Sequence, residues 1–237
     1  MTYQDVIYEL AQSANSSDAQ FLQRFFKTGP GQYGEGDVFI GVRMGPIRQA
    51  AKKFHSLSLE EIQKLLNSEI HEHRMCGLII LTLKYPKSID LEKEKIYDFY
   101  LKNLYKGCIN NWDLIDVTCP RIMGAYLLER PKDILFELAN SEDLWQKRAS
   151  IIATATFISA GEPAATIELA YKLLHDEHDL IQKAVGWMLR EVGKRCDRQI
   201  LLSFLDEHAH DMPRTMLRYS IEHLPSDQRL HYMSQKN

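Results

Sequence analysis

The 237 residues are 45% hydrophobic and 26% charged, enough apolar material for a packed core and too much for a disordered chain. A formal net charge of −3 excludes a generally basic nucleic-acid coat and permits DNA binding only where cations gather on one surface. No apolar run reaches the roughly 18 residues of a membrane span, and Cys76, Cys108, Cys119 and Cys196 lack CxxC spacing, so they read as buried free thiols of a reducing cytosol.

The expected elements are almost all helical, in a soluble, cytoplasmic chain read as one domain, 1–237. Met1–Asp5 is amphipathic with an acidic residue, unlike a basic leader, and Val6, Ile7, Leu10, Ala11 and Ala14 continue one apolar stripe. Phe21, Leu22, Phe25 and Phe26 form the next, on a helix over 18–27. Residues 27–41 break the pattern. Gly29, Gly31 and Gly34 spell GxGxxG there, but no strand precedes them, so a plain helix connector is expected rather than a dinucleotide loop. Ser58 and Glu61 make a capping box ahead of Ile62, Leu65 and Leu66. Asp90 is expected as a simple N-cap, with Glu92 and Glu94 favouring the positive helix end. Further helices are expected near 70–84, 111–129, 132–140, 142–159, 162–175, 178–195, 197–208, 213–223 and 226–234, with Pro120 kinking the second of these. The links are short, so successive helices should pack as antiparallel neighbours.

An internal echo narrows the architecture. Asp143-Leu144-Trp145-Gln146-Lys147 recurs as Asp179-Leu180-Ile181-Gln182-Lys183, 36 positions on. A period of that size with two helices per unit is the mark of a HEAT-like solenoid, whose stacked units curve around a concave face. The expected class is therefore all-α, a right-handed α-solenoid of HEAT-like repeats.

Trp112 and Asp116 are one helical turn apart. One period after Trp112 comes Arg148, and one turn beyond the next period comes Trp187. The spacing predicts that two indoles, a carboxylate and a guanidinium project from successive repeats onto one surface. Taken singly each has a structural reading: tryptophan as core, as Trp145 is expected to be, and aspartate with arginine as an ion pair. Gly186 reads as a close-packing position. His71, His73, His175, His178, His208 and His210 lack zinc spacing and are read as surface residues.

The segments 111–116, 144–149 and 181–191 resemble the hallmark segments of the AlkD-type DNA alkylation-repair family, with element order similar from about residue 18 to 225. Residues 26–37 are similar to a variant stretch of that family. The resemblance implies a glycosylase that hydrolyses the N-glycosidic bond of N3- or N7-alkylated purines in double-stranded DNA, as a monomer and without metal or cofactor. It makes Asp116 the catalytic carboxylate, Trp112 and Trp187 the cleft tryptophans and Arg148 the cleft arginine. Lys147, Lys183 and Arg190 are expected at phosphates from their spacing alone. Phe25 stands where typical members carry tyrosine, and Arg43 with Arg48 is expected to meet the backbone in compensation. The competing classes are a non-catalytic DNA-binding paralogue for altered or branched DNA, and a protein-interaction scaffold.

Overall fold

The computed structural model describes residues 1–235. Sixteen α-helical segments follow one another: α1 (Tyr3–Ala11), α2 (Ser16–Phe25), α3 (Met44–Lys53), α4 (Leu59–Leu66), α5 (His71–Lys84), α6 (Asp90–Tyr105), α7 (Trp112–Cys119), α8 (Ala125–Leu127), α9 (Asp133–Ala139), α10 (Leu144–Ile152), α11 (Ala155–Ser159), α12 (Ala164–Lys172), α13 (Asp179–Arg195), α14 (Arg198–His208), α15 (Arg214–Ser220) and α16 (Ser226–Ser234). Outside the helices, the described residues hold one isolated parallel bridge, Val38 with Ile70. Among them no helix is long and apolar enough to cross a membrane. Two compact units divide the chain, Met1–Ile122 and Met123 onward.

In the first unit α3, α5 and α7 lie in a row, with α4 and α1 packed against them. The row centres on α5, whose residues His71 to Thr82 are all buried. A helix covered on every side shows no polar stripe. That is why His71 and His73, read as surface residues, are 2% and 4% exposed instead. The loop over 27–41 also departs from a plain connector: it sinks Asp37 and Phe39 into the core. Glu72 of α5 fastens it, its buried carboxylate accepting the backbone N–H groups of Ile40, Gly41 and Val42.

Ser58 caps α4, accepting the Glu61 amide at 3.4 Å, but the expected capping box is only half made, because the Glu61 carboxylate takes the Tyr3 amide and Lys64 instead. Asp90 does not cap α6. Ile89 holds the extended cap position, so the carboxylate falls inside the first turn and pairs with Lys93. The expected helix over 111–129 is interrupted by a π-helical turn, Pro120–Gly124. Proline has no N–H for the carbonyl four residues back, that of Asp116, and a widened turn absorbs the loss.

In the second unit α13 is the hub, packed against α10, α11, α12, α14 and α15. Two close approaches explain its glycines. A Cβ on Gly186 would run into the Met216 carbonyl of α15, so the close-packing reading holds. One on Gly124 would meet the carbonyl of Ala153, where the expected helix over 142–159 breaks into α10 and α11. Helices α10, α13 and α15 begin at Leu144, Asp179 and Arg214, a regular spacing of 35 residues. The sequence echo of 36 differs by one because Asp143 caps α10 while Asp179 is already the first residue of α13. Cys76 and Cys119 are buried as expected; Cys108 and Cys196 are only half-buried, and all four are free thiols.

Candidate active site and its buried support

The residues singled out in the first unit sit on α2, α3 and α7. Asn111 caps α7, its side-chain oxygen accepting the Trp112 amide at 2.9 Å. Trp112 is half-buried and stacks on Phe26 at 5.1 Å, which stacks on Phe39 at 4.9 Å, which stacks on His71 at 4.4 Å. The half-exposed Phe25 meets the Trp112 indole edge-on at 5.9 Å, so these two candidates do come together. A cavity of about 360 Å³ opens beside this column, lined by Phe21, Phe25, Phe26, Phe39, Val42 and Ile47 among others.

Asp116 lies one turn past Trp112 and is half-buried, neither sealed in the core nor fully exposed. In the same unit Tyr100, Thr118 and Cys119 are fully buried, the Tyr100 and Thr118 hydroxyls 2.9 Å apart. Burial pushes the Tyr100 and Cys119 ionisations upward, that of Tyr100 with help next from Cys119 and then from Asp116, that of Cys119 with help next from the Asp116 charge.

Beneath the start of α7 lies a charged network that the sequence did not reveal. His71 holds Asp37 through Nδ1 and Asp113 through Nε2, each at 2.9 Å. The Asn111 amide donates to Asp37 at 2.9 Å, and Arg74 pairs with the same carboxylate. Burial alone would push His71 down, but the Asp113 and Asp37 carboxylates outweigh it and raise its pKa to about 9. Burial would raise Asp37, yet His71, Arg74 and Asn111 hold it below the usual carboxylate range. His73, two residues along α5, goes the other way: burial and the neighbouring Arg74 push it down to about 4. Both nitrogens of His71 are thus occupied by carboxylates. The only hint in the sequence was the run His71-Glu72-His73-Arg74; nothing linked it to Asp37 or Asp113.

Most of the expected phosphate-contacting cations are ion-paired. Arg43 pairs with Asp18 and lies over the Phe21 ring, while Arg48 is exposed. In the second unit Lys147 pairs with Asp176 at 2.8 Å, Lys183 with Asp179 at 2.6 Å, and Arg190 with Glu222 and Glu191. Arg148 departs furthest from expectation. It is 4% exposed and donates to the Leu180 carbonyl, a bond that ties α10 to α13 where a phosphate contact was expected. Helix register explains this: Arg148 is the fifth residue of α10, so it corresponds to Asp116 and Lys183 in α7 and α13, not to Trp112, the first residue of α7. Trp187 is half-buried on α13, and Trp145 is core as expected.

Stacked helix pairs and a 35-residue spacing define a helical-repeat protein. The chain belongs to the DNA alkylation repair enzyme family, whose model matches residues 6–224. Among solved structures, one described as a predicted DNA alkylation repair enzyme from Enterococcus faecalis shares the fold, with a TM-score of 0.69 over 90% of this chain and 98% of that one. The two are 17% identical, so the likeness is one of fold. No curated protein matches the sequence.

Proposed function

We propose that the protein is an alkylpurine DNA glycosylase, with Asp116 as its catalytic carboxylate. The observation that carries this reading is the placement of Asp116: half-buried, one turn from a Trp112 indole that packs into an aromatic column. An N3- or N7-alkylated purine is cationic and leaves as a neutral base, taking the electrons of the C1′–N bond. The sugar then carries developing positive charge. An ionised Asp116 stabilises that charge and orients a water towards C1′; water forms the new C1′–O bond and releases its proton to the carboxylate or solvent. The indole face of Trp112 favours the same cation. By the family resemblance, Trp187 packs on the substrate sugar and backbone. Arg148, through its bond to Leu180, positions α10 rather than touching DNA.

The test is release of N7-methylguanine from duplex DNA. Wild type is expected to free the base, and Asp116→Asn to lose at least about a hundredfold in rate, the scale of one transition-state electrostatic contact. Duplex binding without base release by the wild type would replace this reading with that of a non-catalytic DNA-binding protein.

A further inference from the structure

The second unit contains a cavity of about 290 Å³ walled by α13, α14 and the end of α15. Arg190 and Lys194 line it from α13, Arg198 from the first turn of α14, and His223 from just past α15. Among the described residues no aspartate or glutamate lines it, although Glu191 and Glu222 pair with Arg190. Its apolar side is Leu201, packed so tightly on Gly193 that a Cβ there would come within 2.9 Å of the leucine Cβ.

Three further observations show that the cavity has spare capacity for an anion. Arg190 is largely buried, and its Nε–H is a buried donor with no hydrogen-bond partner, although Glu222 and Glu191 engage the outer nitrogens. A buried donor left unmatched is costly unless a ligand or water meets it. Lys194 and Arg198 are exposed, and neither is ion-paired with another described residue, in contrast to Lys147, Lys183 and Arg190 of the same unit. Burial would raise Glu191, yet Arg195, Arg190 and Lys194 hold its carboxyl below the usual range, so cations gather at this end of α13 despite the chain's net charge of −3.

We propose that this cavity binds a phosphate group, with Arg190 innermost and Lys194, Arg198 and His223 around it. A planar guanidinium beside a flexible ammonium suits the several acceptor oxygens of a phosphate, and the volume holds the group with several waters. Phosphate binding here does not depend on the glycosidic chemistry assigned to Asp116 and stands whether or not that chemistry does. Its phosphate comes either from a DNA backbone or from a free phosphate-bearing molecule.

The experiment titrates inorganic phosphate into the whole protein at constant ionic strength and follows backbone amide resonances. Saturable shifts are expected around residues 190–201 and 220–224. The double variant Lys194→Ala/Arg198→Ala changes exposed side chains, so it should keep the wild-type Tm while weakening phosphate binding by roughly tenfold. A response that never saturates, or equal binding by wild type and variant, overturns the proposal. Duplex-DNA binding across a salt series then separates the two sources. A slope of log K against log salt shallower by about two in the variant identifies backbone phosphate; an unchanged slope beside saturable phosphate binding identifies a free ligand.

Discussion

His71 and His73 are neighbours on α5 with opposite electrostatic fates, and each carries a pH signature. His71 is raised from 6.5 to about 9, so its contribution to stability is complete below about 6.5 and is lost as pH rises through 9. His73 is lowered from 6.5 to about 4, so its contribution is complete above 6.5 and is lost as pH falls through 4. The denaturation midpoint should therefore fall on the alkaline side because of His71 and on the acid side partly because of His73. His71→Ala leaves Asp113 without its imidazolium and Asp37 with only Arg74 and Asn111. A loss of about 3–5 kcal/mol is expected at neutral pH, together with loss of the decline between 6.5 and 9. Chemical denaturation of both proteins across that range checks it; an unchanged alkaline limb in the variant would show that another group is responsible. None of this was legible in the sequence. Two histidines at that spacing look like surface residues until α5 is seen to be buried on all sides, and Asp37 comes from a loop that looked like a connector.

At the scale of elements, glycine placement decides how closely helices approach. Gly186 of α13 leaves no room for a methyl group: a Cβ would meet the Met216 carbonyl and would lie 2.6 Å from the Tyr219 Cβ. Gly186→Ala should improve intrinsic helix propensity yet destabilise the protein by about 1–3 kcal/mol, because α13 and α15 must separate. A thermal midpoint equal to or above wild type would show that α15 yields freely. This position was readable from the sequence as a packing glycine. The π-helical turn at Pro120 was readable only as a kink. A proline announces a missing hydrogen bond, but whether the helix breaks, bends or widens depends on neighbouring packing.

For the whole molecule, the proposed DNA binding has to work against a net charge of −3. The cations expected at the substrate are mostly engaged by carboxylates, and exposed pairs such as Lys183–Asp179 and Arg43–Asp18 are weak because solvent and salt screen them. They can exchange a carboxylate for a phosphate. Removing the competing charge should favour the exchange. Asp179→Asn and Asp18→Asn are each expected to tighten duplex binding by roughly 1.5- to 5-fold at low salt, with the gain shrinking as salt rises. Equilibrium binding at two ionic strengths measures this, and weaker binding by either variant would mean that the paired cation does not face DNA.

The amino-acid sequence by itself determined the helical class, the repeat spacing to within one residue, the capping of α4, the core role of Trp145 and the adjacency of Trp112 and Asp116. Each of these depends on residues within a few helical turns, or on a period that accumulates along the chain. Only the tertiary structure decided that Arg148 is buried, that His71 bridges two carboxylates and that four basic side chains surround one cavity. Those facts depend on which distant side chains share a desolvated space, and a charge buried beside its partner has the same one-letter code as a charge in water.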